Sequence, residues 1–112
     1  MANRFMTLNQ QQLWINTAID LTRERLGSDS QNSDLYNYIL NQLEYIGECI
    51  RDKSLSRERL SDVNVGQLAV REFESIDREY SNSLKKVYFI VHYMKEGNKV
   101  PLLDESGNIV KG

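Results

Sequence analysis

A hundred residues pass before this chain meets its single proline, Pro101. Proline is the strongest helix breaker, because its ring fixes φ and removes the amide donor. A stretch without it is free to be helical throughout, and the spacing of its apolar residues decides where the helices are cut. Thr7 and Gln10 have the spacing of a capping box, in which two exposed amides at a helix start are satisfied reciprocally. Leu8, Ile15, Ala18, Ile19, Thr22 and Leu26 then recur at helical spacing and predict a first helix over residues 7–26. Gly27 suits a left-handed stop. After the polar loop GSDSQNS, Ser33 is placed to cap a second helix over 34–52. Its face of Leu35, Ile39, Leu43, Ile46 and Ile50 is the clearest apolar stripe in the chain, flanked by Tyr38, Tyr45 and Cys49.

The segment KSLSRERLSDV reads as a bend with a helical turn or two, Ser56 being placed to cap it. Asn64 and Gln67 repeat the capping-box spacing and open a third helix, 64–76, with Val65, Leu68, Ala69, Phe73 and Ile76 on its apolar side. Gly66 there lets a neighbour approach the backbone closely. Asp77 caps a fourth helix, 78–96, which Gly97 ends. Its core face is Tyr80, Leu84, Val87, Val91 and Met94, widened by Tyr88 and Ile90. A helix apolar over more than half its girth should be the central one. Residues 98–112 change character: a small β-hairpin around DESGN, with Pro101 on an open edge, competes with a partly ordered tail. The expectation is an all-α fold in one domain, 1–112: a compact four-helix bundle, with room for an extra short helix and for a C-terminal β-hairpin.

Composition narrows the function. The formal charge of −2 argues against a general nucleic-acid or anionic-membrane binder, which needs a basic surplus. One cysteine, Cys49, makes neither an internal disulfide nor a thiolate zinc site, and a reducing compartment is its natural setting. The start, MANRFMTLNQQQ, lacks the apolar run of a secretory signal, and no stretch approaches the roughly 20 apolar residues of a membrane span. The expected location is the cytoplasm.

Chemistry is hard to find. His92 is the only histidine and has no second ligand or nucleophile at suggestive spacing, so a structural role is expected. Cys49 reads as a core filler, and no glycine-rich loop offers to cradle a phosphate. No catalytic residue, metal site, cofactor or small-molecule substrate is expected. The basic residues Arg51, Lys53, Arg57 and Arg59 are interrupted by Asp52 and Glu58 and read as a solvated bend.

Two surface features remain. In REFESIDREY, Glu72, Glu74, Asp77 and Glu79 gather where the third helix meets the fourth, with Arg71 and Arg78 offsetting half of the charge. This is either a solvated helix end or a negative patch that steers a basic partner. Six tyrosines are many for a helical core. Tyr36 and Tyr80 fit a core; Tyr38, Tyr45 and Tyr93 are candidates for an interface, where tyrosine is enriched.

The string VGQLAVREFESIDREYSNSLKKVY, together with QLEYIGECIRDKSLSRERL before it, resembles a family of small helical immunity proteins of bacterial type VI secretion effectors. The points of likeness are Gln42, Leu43, Tyr45 and Ile46; Ser54 and Leu55; Gly66, Ala69, Val70, Glu72, Phe73, Asp77 and Glu79; and Leu84, Lys85 and Tyr88. The family's best-known member protects against an effector that hydrolyses NAD and NADP. The resemblance implies a chain that binds a cognate toxin domain and blocks its active site without chemistry of its own. Glu72, Glu74, Asp77 and Glu79 are then expected to bind the partner, because a nucleotide-binding cleft is usually positive, and Tyr38 and Tyr45 join them as interface tyrosines. The alternative is a helical adaptor or regulatory module that serves no toxin. Charge reversal at Glu72 and Asp77 together should weaken binding and leave the fold intact.

Overall fold

A computed structural model describes residues 4–110. Met1 to Asn3 of the leader reading, and Lys111 and Gly112 of the tail, lie outside the described residues. Four helices carry the chain: α1, Leu8–Ser28; α2, Ser33–Arg51; the short α3, Val65–Leu68; and α4, Arg78–Lys95. Single 3₁₀ turns stand before α2, at Ser30–Asn32, and before α3, at Glu58–Asp62. A five-residue π-turn, Ala69–Phe73, continues α3.

The capping box forms as expected: the Thr7 hydroxyl accepts from the Gln10 backbone amide at 3.0 Å, and the Gln10 side-chain oxygen Oε1 accepts from the Thr7 backbone amide at 2.8 Å. Ile15 and Ala18 of α1, Ile39, Leu43 and Ile46 of α2, and Leu84, Val87, Ile90 and Val91 of α4 are wholly buried. α1 lies along α2 and also packs on α4; α3, the π-turn and the second 3₁₀ turn all pack on α4. α4, the helix with the widest apolar face, thus gathers α1, α3, the π-turn and the second 3₁₀ turn around it, while α2 packs mainly on α1. Tyr36 of α2, Phe73 of the π-turn and Tyr80 of α4 form a buried aromatic triangle, with centroids 4.8 to 5.8 Å apart.

Several local expectations give way. Gly27 stays helical, and α1 runs two residues past the expected end, where the Asp29 amide bonds the Arg25 carbonyl. Leu8, at the first turn, is half exposed, and Gln11 is buried instead, its amide reaching the Met6 carbonyl. The second cap shifts because Asp29 organises the loop, accepting from the Gln31 amide and the Asn32 side chain; Ser33 is already inside α2. The capping box at Asn64 does not form. Its partner is Gln42 of α2, whose amide donates to Asn64 Oδ1 at 2.8 Å and whose oxygen accepts from the Asn64 amide at 2.9 Å. The third helix is not continuous to residue 76. The Ser81 hydroxyl of α4 donates to the Ala69 carbonyl at 2.9 Å, and an inserted side chain of this kind opens a helical ladder. Beyond the π-turn the chain turns away, and Ile76 is exposed.

Gly97 ends α4 at φ +73°, a conformation glycine adopts without strain. Among the described residues the tail forms isolated antiparallel bridges and no strand: Phe5 to Pro101 and Leu103 to Ile109, with Gly107 at φ +84° in the turn. The ladder uses Val100 and Leu102, which exchange bonds with Met6 and Arg4, so the missing amide of Pro101 is never needed. Val100 and Pro101 are buried under this clasp.

Candidate partner-docking surface

The corner between the π-turn and α4 brings all four expected acids together, and it adds two bases that their sequence neighbours do not reveal. Arg25 reaches across from α1. Its Nε lies 3.0 Å from Asp77 Oδ2, and its Nη2 lies 3.1 Å from Asp77 Oδ1 and 2.9 Å from Glu79 Oε1. Its Nη1 holds Glu24 at 2.7 Å. Lys85 holds Glu74 at 2.7 Å, and Arg71 holds Glu72 at 3.1 Å. The corner is a set of ion pairs, where the sequence read as a surplus of negative charge.

The pairs differ in exposure, and this sorts the residues. Arg25 and Asp77 keep only 17% and 22% of their side-chain surface in solvent, and the pair is fork-on-fork. Asp77 also caps α4, accepting from the Tyr80 amide at 3.3 Å. The Arg25 guanidinium first, and the Tyr80 amide as well, hold its carboxyl below the ordinary aspartate range; burial opposes them. The same pairing raises Arg25. Beneath them the Tyr80 hydroxyl bonds Thr22 Oγ1 at 2.8 Å, and burial pushes this phenol well above its usual range. Charge reversal at Asp77 would thus remove a cap and leave Arg25 facing a cation, a cost in stability as well as in surface charge. Glu72, Glu74 and Glu79 are 41%, 51% and 71% exposed, and salt bridges of that kind are worth little.

The tyrosines also divide. Tyr38 is half exposed on α2. Tyr45 is buried: its hydroxyl donates to the Ser56 carbonyl at 2.7 Å, and the Arg59 guanidinium sits 4.4 Å above its ring. Burial pushes its phenol upward. Tyr93 is partly buried against Phe89, with His92 edge-on to it and exposed. Cys49 is free and buried. Among the described residues no three His, Cys, Asp or Glu side chains gather to hold a metal, and no helix is long and apolar enough to cross a membrane.

These features define a class: a small α-helical bundle whose surface is elaborated at one ion-paired corner. Within that class the chain belongs to the Tsi6 family, whose sequence profile matches residues 11–93. The immune protein Tsi6 of Pseudomonas aeruginosa is 39% identical over 61 residues, which is 54% of this chain and 65% of that protein, just under two thirds of its length. A solved structure of Tse6 in complex with Tsi6 superposes with a TM-score of 0.78 at 32% identity, covering 82% of this chain and 97% of the matched one. The structure of Tsi6 from Pseudomonas aeruginosa gives 0.69 at 30% identity over 77% of this chain and 95% of that one. An NMR structure of an uncharacterized protein from Pseudomonas aeruginosa PAO1 gives 0.72 at 32% identity, over 87% and 99%.

Proposed function

We propose that this chain is an immunity protein: it binds the toxin domain of a cognate secreted effector in the bacterial cytoplasm and blocks its active site. The observation that carries this is the match to nearly the whole of a chain solved in a complex of Tse6 with Tsi6. The protein works by occlusion, without catalysis or cofactor, and its target consumes NAD(P) or another nucleotide. The docking surface is the corner between the π-turn and α4. Glu72, Glu74 and Glu79 are the contact acids, because their exposed pairs can be exchanged for a partner's basic groups at little cost. Asp77 positions the corner, committed as it is to Arg25 and to the α4 cap. Tyr38 is exposed and available for contact, whereas Tyr45 acts through the bend it pins at Ser56.

Growth of cells carrying the toxin domain of a candidate effector, sought first in the gene next to this one, tests the proposal. Co-expression of the chain should restore growth, and the purified pair should form a complex that has lost nucleotide turnover. Killing that continues with the chain present at excess would refute the reading, and would leave the adaptor alternative.

A further inference from the structure

Beside the ion-paired corner lies a groove. Gly66 and Gln67 of α3, Val70 and Arg71 of the π-turn, and Lys85 and Tyr88 of α4 line a shallow depression of about 580 Å³. Three features make it. Gly66 has no side chain, and a Cβ placed there would lie 2.6 Å from Cγ of Tyr88, so the tyrosine packs directly on the α3 backbone. The π-turn buries Ala69 and Phe73 and leaves Val70 54% exposed. π-turns inside helices are frequent at functional sites. Finally, the groove shares its rim with the corner: Arg71 and Lys85, which line it, are the residues that hold Glu72 and Glu74.

The geometry points to this groove as the seat of an apolar side chain of the cognate toxin, one flanked in the toxin by a basic residue. This rests on the immunity reading and names the contact at its centre. Val70 and Tyr88 supply an apolar floor inside a charged rim, the arrangement in which interfaces concentrate their affinity. Charge argues for the basic neighbour. The rim and corner set Glu24, Glu72, Glu74, Asp77 and Glu79 against Arg25, Arg71, Arg78 and Lys85, a small acidic excess. Glu72 and Glu74 are tied only to Arg71 and Lys85. A toxin lysine or arginine beside the apolar anchor replaces either base and gains a carboxylate as it docks.

The test is a titration of the purified toxin domain of that effector against the wild-type chain, Val70→Asp and Leu13→Asp, with thermal melts and light scattering on each. Val70 and Leu13 are both exposed, so neither carboxylate disturbs the core. The expected result is wild-type binding, a Kd raised by about 100-fold or more for Val70→Asp, near-wild-type binding for Leu13→Asp, and unchanged melting. Wild-type affinity in Val70→Asp would overturn the groove and leave the immunity reading standing. Loss in Leu13→Asp alone would place the toxin on the α1 face and overturn it equally. A change of oligomeric state in Val70→Asp would make the groove a self-contact. No binding by the wild-type chain would remove the immunity reading itself.

Discussion

Arg25→Ala should be among the most damaging substitutions of an ion-pairing surface residue, and its cost can be worked from the geometry. Arg25 makes four charge-assisted contacts, of unequal worth. Those to Glu24 and Glu79 end on carboxylates about 70% exposed, and such pairs contribute about 0–1 kcal/mol each. The fork to Asp77 is largely out of solvent, and hydrogen bonds to charged groups in that setting are worth about 1.5–3 kcal/mol. The guanidinium also stands 6.0 Å over the Tyr80 ring, at the outer limit of a useful cation–π contact. The total is about 1.5–5 kcal/mol, enough to lower Tm by roughly 5–20 °C in a domain of this size. Urea denaturation of Arg25→Ala, Asp77→Ala and the double variant isolates the pair. Asp77→Ala alone also loses its cap, worth about 1 kcal/mol, but that loss cancels in the cycle. A coupling energy of about 1.5–2 kcal/mol is expected at neutral pH. The sign with pH follows from the direction of the shift. Asp77 is held below its unfolded value, so its contribution is complete above about pH 4 and is lost as pH falls through the lower folded value. A coupling under about 0.5 kcal/mol at neutral pH, or one that persists after the carboxyl is protonated, would refute the reasoning.

Two glycines in helical backbone should respond oppositely to alanine. Gly27 has open space where a Cβ would lie, so Gly27→Ala should stabilise by up to about 1 kcal/mol; Gly66→Ala must displace Tyr88 and should destabilise by about 1–2 kcal/mol, as paired melts would read. Gln42→Ala leaves Asn64 without both partners and should cost about 1–2 kcal/mol, with faster amide exchange over residues 64–73 than in α2. Tyr45→Phe removes the bond to the Ser56 carbonyl and should cost about 1 kcal/mol by urea denaturation while leaving the helical spectrum unchanged.

The helices were legible because their signals are local. Thr7 with Gln10, the stripe from Leu35 to Ile50, the Asp77 cap and Gly97 each act over a few residues, and each stands where its spacing puts it. What stayed hidden depends on residues far apart in the chain. Asn64 looked like a capping-box residue because nothing nearby shows that Gln42 has claimed both its polar groups. Phe73 and Ile76 share one helical face on paper, but the π-turn and the turn after it break that register, with the Ser81 hydroxyl of the next helix bonded to the Ala69 carbonyl. The acid corner was legible as a cluster and not as a set of pairs. Arg25 lies 52 residues before Asp77, so no window over REFESIDREY could count it. Exposure then separates Asp77, committed to Arg25 and the α4 cap, from Glu72, Glu74 and Glu79, a distinction that charge pattern alone does not contain.

The clasp that ties residues 4–6 to residues 100–102 bears on the order of events in folding. Turns of helix form in well under a microsecond, and neighbouring helices meet across short loops. The clasp must join segments nearly the whole chain apart, and its closure entropy is repaid only once α1 and α4 already hold the two segments near each other. It should therefore form late, and open first when the chain is unfolded. Since Met6 and Val100 are both buried in the core, a nascent chain leaves Met6 uncovered until residues 100–102 have emerged and folded back.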